Sequence, residues 1–113
     1  MRPPEGTFLA GVRNGAIQLP PPLKRYCEAS DWTLFCVLPI DDSTIEIRPV
    51  LPGEDDDSAC QFHSSLTTGG QLWIPAALRA LVALGEQSVM IRIENGAIRI
   101  YLRKVFETLG FGP

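Results

Sequence analysis

One short phrase occurs twice in the chain: Gly15–Lys24 reads GAIQLPPPLK, and Gly70–Arg79 reads GQLWIPAALR, 55 positions later (70 − 15 = 55). Each copy leads through a turn into two alternating apolar segments. These are Thr33–Leu38 and Thr44–Val50 after the first copy, and Ser88–Glu94 and Ala97–Leu102 after the second. Self-similarity at one spacing marks each copy as a supersecondary unit that cannot bury its apolar face alone. The expectation is a pseudo-symmetric pair of units, with any function at equivalent places in both.

The 113 residues suit one domain with a modest core, and a hydrophobic fraction of 45% with 20% charged is ordinary for a globular chain. The most apolar stretch, Pro75–Gly85, is interrupted by Arg79 and is too short to span a bilayer, so no membrane partner is expected. The opening MRPPEG has no apolar h-region of a secretory signal. Cys27, Cys36 and Cys60 are an odd number and form no dense framework. Together these features predict a cytoplasmic protein in a reducing compartment. The net charge of −3 conceals an uneven distribution. Glu54–Asp57 supplies four acids between the repeats, whereas the chain from Leu66 onward has five basic residues and three acidic ones. The local field over a binding face, rather than the total, attracts phosphate.

Along the chain, Thr7–Val12 and Ala16–Leu19 read as a hairpin, with Asn14-Gly15 as its tight primed turn. Pro20-Pro21-Pro22 ends the strand and opens a short helix, Leu23–Cys27. In the second copy, Gln61–Leu66 and Gln71–Ile74 flank the turn Thr67–Gly70, and a helix follows from Pro75 to Leu84 with Gly85 as its C′ residue. Val89, Ile91 and Ile93 alternate onto one face, as do Ile98, Ile100 and Leu102 across the Asn95-Gly96 turn. Matching Ile47 to Ile100 gives a spacing of 53, which puts two extra residues in the turn of the first copy's second hairpin. If Leu34, Cys36 and Leu38 face inward, then Phe35, Val37 and Met90 point outward as scattered surface hydrophobes or as a subunit interface. A last helix is expected over 103–109.

The order hairpin, glycine, apolar–x–apolar–Pro, short helix, second hairpin resembles the AbrB-type swapped-hairpin module. Two tandem copies with an acidic segment between them and a C-terminal helix resemble the MraZ family of bacterial transcriptional regulators. The residues that carry the resemblance are Gly15–Pro20 with Leu23-Lys24, Gly70–Pro75 with Leu78-Arg79, and Leu84-Gly85 before a strand. It covers the chain from about Thr7 to Glu107. The resemblance implies an α+β, mainly β fold, in which two hairpin/short-helix repeats interlock into a pseudo-symmetric swapped-hairpin barrel. The expected layout is one domain (1–113), a first repeat (7–50), an acidic linker (51–60), a second repeat (61–102) and the helix (103–109). It also implies binding of promoter DNA through the turn before the apolar–x–apolar–Pro strand, and assembly into rings. Family members carry Asp-x-x-x-Arg at that turn; here Val12 and Thr67 stand at the Asp position, and Ala16 and Gln71 at the Arg position. Arg13 is the cation left in either turn.

These readings predict a non-enzymatic, sequence-specific DNA-binding regulator, nucleoid-associated and homo-oligomeric. The candidate DNA contacts are Arg13, Asn14, Thr67, Thr68 and Gln71. Asn and Gln can read adenine bidentately, and Thr can bond a phosphate oxygen; Asn14 taken alone is read as a turn residue. The candidate oligomer contacts are Phe35, Val37, Met90 and Phe106. The alternative is a protein-binding AbrB-like module, antitoxin-like or an assembly protein, that has lost its DNA contacts.

No cofactor, metal or small-molecule substrate is expected. Cys60-x-x-His63 has ligand spacing but lacks a second pair, and the acidic run lacks the spaced ligands of a calcium loop. His63 is the only histidine, and Ser64 and Ser65 beside it sit in no elbow motif. The sequence has no GxGxxG, Walker loop or HExxH. Trp73, flanked by core positions Leu72 and Ile74, is expected on the outer rim.

Overall fold

In this computed structural model, which describes residues 2–50, 60, 62–82, 84–85 and 87–102, the Asn-Gly pairs turn the chain as their chemistry requires. Asn14 and Gly15 take φ of 51° and 80°, and Asn95 and Gly96 take 52° and 74°, the left-handed pair of a two-residue primed turn. The first turn joins β1 (Phe8–Arg13) to β2 (Ala16–Gln18), and the second joins β7 (Ser88–Glu94) to β8 (Ala97–Tyr101). Between them lie α1 (Pro21–Ala29), β3 (Leu34–Asp41), β4 (Thr44–Pro49), β5 (Phe62–Ser65), β6 (Gln71–Trp73) and α2 (Ala76–Leu81). Both helices begin at proline: Pro20 and Pro75 occupy the N-cap positions with φ of −58° and −54°, where a missing N–H costs nothing. α1 is longer than the sequence suggests, whereas α2 ends at Leu81 with Val82 as its C-cap, so Gly85 is not its C′ residue.

The eight strands form one antiparallel sheet in the order β5-β3-β4-β8-β7-β1-β2-β6. A single bridge, Leu66↔Leu72, joins its ends and nearly closes it into a barrel. The pairing interleaves the two halves of the chain. β1 lies on β7, with Leu9 opposite Met90, and β5 lies on β3, with Cys36 opposite His63. β2 pairs with β6 about Ile17↔Leu72, and β4 pairs with β8 about Glu46↔Arg99. Both central pairs join residues at matching positions of the two halves. Inside the barrel, Ile17, Leu23, Phe35, Ile45, Ile47, Leu72, Leu78, Ile91, Ile98 and Ile100 are fully buried, each contributing about 1.5–3 kcal/mol of apolar transfer.

One expected face is reversed. Phe35 and Val37 are fully buried, while Leu34 is 41% exposed and Leu38 half-buried. Leu78 follows Leu23 by 55 positions, but Val89 follows Phe35 by 54 (89 − 35 = 54) and Ile98 follows Ile45 by 53. The two extra residues of the first half are therefore split. One falls between α1 and β3, and the other falls in the β3–β4 hairpin, where the register shifts between Pro39 and Asp41. Because strand side chains alternate with a period of two, the single residue before β3 exchanges its inner and outer faces. Phe35 and Val37 are thus core residues, not interface candidates. Met90 is half-buried on the outer face, beside Leu9, which is 70% exposed. Phe106, the acidic linker up to residue 59 and the helix expected over 103–109 lie outside the described residues.

A second departure concerns sulfur. Cys36 and Cys60, 24 positions apart, form a disulfide, and Cys27 is a buried free thiol. Among the described residues, no helix is long and apolar enough to cross a membrane.

Candidate nucleic-acid interface

The two turns singled out in the sequence sit at opposite ends of the β2–β6 ladder. Leu19 N–H donates to the Gly70 carbonyl and Ile74 N–H to the Gly15 carbonyl, 2.9 Å each. These bonds pin each turn against the strand of the other half. Gly15 and Leu19 are four strand residues apart, so Gly15 and Gly70 stand about 13 Å from one another along the ladder.

The first tip carries Arg13 and Asn14, both exposed. Asn14 supplies the positive-φ corner, and its role in the turn is fully accounted for by that conformation. In the second tip the backbone is tied twice: Thr67 N–H donates to the Gln71 carbonyl (2.9 Å), and Gly70 N–H donates to the Thr67 carbonyl (3.0 Å). The Thr67 hydroxyl oxygen accepts from Gln71 N–H at 3.0 Å, which leaves its proton available for donation outward. Thr68 and Gln71 are exposed. Gln18, opposite Gln71 in the ladder, braces the same turn by donating Nε2–H to the Gly69 carbonyl at 2.9 Å. All five sequence candidates therefore lie at the tips, divided between the two.

Two cations that the sequence left among the helices join them. A Cβ placed on Gly15 (φ +80°) would lie 2.7 Å from Cζ of Arg79, and one on Gly70 (φ +82°) would lie 2.9 Å from Cδ of Lys24. Each glycine thus serves its turn through a conformation that L side chains resist, and it opens the space over which a cation from the other half is laid. Arg79 is held there by donating Nε–H to the Ile74 carbonyl at 3.0 Å. Arg13 is consequently not the lone cation: Arg79 joins it at the first tip, Lys24 stands at the second, and Arg25 follows on the exposed side of α1. Lys24 and Arg79 occupy matching positions of the repeated phrase, which was the signal available in the sequence.

Arg79 also lines a groove of ≈ 550 Å³ between β5, the end of β6 and the start of α2, together with Leu34, Ser65, Trp73 and Pro75. Trp73 is 48% exposed on its rim, the outward placement expected of it. A smaller hollow of ≈ 160 Å³ lies between Asn14, Gly15, Arg79 and Leu84.

The acidic side chains of the outer sheet face are engaged far from the tips. Glu46 is only 4% exposed although it lies on the outer face, because Arg48 and Arg99 fold over it; Arg99 Nε stands 3.1 Å from its Oε1. Burial pushes this carboxyl up, but hydrogen bonds from Arg48 and Arg99, reinforced by their charges, outweigh it and hold the pKa below the ordinary carboxylate value. Tyr101 donates to Glu94 at 3.0 Å, and burial, then that bond and charge, raise its phenol. Arg92 pairs with the same Glu94 at 3.2 Å. Among the described residues no three of His, Cys, Asp or Glu converge as a metal site, and Cys60 spends its sulfur on Cys36 rather than joining His63 as a ligand. No family model and no curated protein matches the chain.

Proposed function

We propose that the protein is a sequence-specific DNA-binding transcriptional regulator akin to the MraZ family, built from two AbrB-like repeats, nucleoid-associated and non-enzymatic. The observation that carries this reading is the reciprocal placement of Arg79 over Gly15 and Lys24 over Gly70. The two glycines over which these cations lie stand about 13 Å apart, close to the ~12 Å width of a DNA major groove. Arg13, Arg79 and Lys24 bond phosphates on either side, joined by the Thr67 and Thr68 hydroxyls, while Asn14 shapes the first turn and Gln71 faces base edges. Loss of the turn arginines at Ala16 and Gln71 is offset by cations delivered from the helices. Repetition in a homo-oligomer multiplies these few contacts through effective concentration; Leu9, Met90 and Tyr101 form the apolar outer row available for it.

The test is titration of a labelled duplex from its own promoter at several salt concentrations. Arg13→Ala, Lys24→Ala and Arg79→Ala each weaken binding and flatten the log K against log salt slope by about one unit. A wild-type protein that binds no duplex at low salt refutes the reading. It would then favour the second one, a protein-binding module, whose support is the groove beside half-exposed Trp73 and Leu34.

A further inference from the structure

β5 is one of the two end strands of the sheet. On one side it pairs with β3 over Phe62–Ser65. Toward β6 it has the Leu66↔Leu72 bridge and a hydrogen bond from the Ser64 hydroxyl to the Trp73 carbonyl. Its counterpart β1 is paired on both sides, with β2 and with β7. The disulfide falls where the deficit is. Cys60 stands two residues before β5, and its partner Cys36 lies in the middle of β3, opposite His63. At the equivalent β1–β7 pairing no such bond exists: Glu5 (60 − 55 = 5) and Met90 (36 + 54 = 90) stand at the matching positions. Both bonded cysteines are half-buried, within reach of a small thiol. The third, Cys27, is sealed in the core, and burial, with the Glu28 charge beside it, pushes its thiol up to about 11. Cys27 is thus a poor thiolate and does not compete in exchange.

We propose that the Cys36–Cys60 bond is a thiol-responsive staple that ties β5 to β3, whose opening loosens β5 and the Thr67–Gly70 tip and leaves the first tip as it is. The reductant is a small monothiol of the glutathione class. Its thiolate attacks one cysteine sulfur, forms a mixed disulfide, and expels the other cysteine as a thiolate that takes a proton. A second monothiol attacks the mixed disulfide and releases the remaining cysteine thiol. Two electrons enter the protein, two cysteine thiols form, and one oxidised disulfide of the reagent leaves. The consequence follows from connectivity: an edge strand held by one ladder and one bridge opens more readily once its covalent tether is gone. The inference holds whatever the tips bind.

The experiment titrates the intact protein through glutathione buffers of graded redox poise. Thiols are counted with maleimide after denaturation, and native-state amide exchange is followed over residues 62–67 and 8–16. The expected result is a reversible two-electron transition from one reactive thiol to three, with exchange in 62–67 accelerated about tenfold or more and exchange in 8–16 unchanged. The Cys36→Ser/Cys60→Ser double variant exchanges like the reduced protein and ignores the buffer; if it fails to fold, the wild-type titration decides alone. Three reactive thiols at every poise overturn the proposal, as does equal exchange over 62–67 in the two end states.

Discussion

Gly15→Ala separates the two reasons for a glycine at the first tip, because Gly96 offers a matched control. Both residues sit at the second corner of an Asn-Gly turn, at φ +80° and +74°. An added Cβ at Gly96 meets nothing within 4 Å, whereas one at Gly15 would come within 2.7 Å of the Arg79 guanidinium carbon. The left-handed conformation alone costs about 1–2 kcal/mol with an L side chain, so Gly96→Ala should lose that amount. Gly15→Ala should lose it too, and should also displace Arg79, the flexible end of which swings away from the methyl. Displacement breaks the Arg79 Nε–H bond to the Ile74 carbonyl, adding about 0.5–1.5 kcal/mol. Urea unfolding of Gly15→Ala, Gly96→Ala, Arg79→Ala and the two doubles with Arg79→Ala measures each part. In the Arg79→Ala background the excess cost at Gly15 should vanish, while the cost at Gly96 should persist. Equal costs for the two glycine variants in the wild-type background would refute the claim that Gly15 makes room for the cation.

Two further outcomes test the outer face and the corrected core. The Glu46 carboxyl has a folded pKa below its ordinary value of 4.5, so the unfolded chain binds more protons, and its contribution is present above that value and lost as pH falls through the folded pKa. In urea midpoints measured from pH 7 to pH 3, Glu46→Gln should flatten this acid limb; Glu46→Arg should crowd three arginines, and adding Arg99→Glu should restore the pair and recover stability. Phe35→Ala should cost about 3–5 kcal/mol in denaturant unfolding without changing the sedimentation behaviour of the folded protein, since its side chain lies wholly in the core.

Local chemistry made much of this chain legible. The Asn-Gly turns, the prolines that open α1 and α2, and the bounds of β7 follow from preferences that act over a few residues. Val89 and Ile91 alternate with polar or half-buried neighbours, so their inward face could be read directly. In β3 every position from Leu34 to Leu38 is apolar or cysteine, so alternation could not choose a face. One residue in the preceding connection made that choice, through the register that β4 and β5 impose. The repeated phrase announced Lys24 and Arg79 as equivalents, yet a period says nothing about which turn each one covers. That was decided by the antiparallel pairing of β2 with β6, which carries Arg79 to a glycine 64 positions earlier (79 − 15 = 64) and Lys24 to one 46 positions later (70 − 24 = 46). The Cys36–Cys60 bond depends likewise on β5 lying against β3. Short-range preferences are encoded residue by residue, whereas these three features exist only once distant strands share hydrogen bonds.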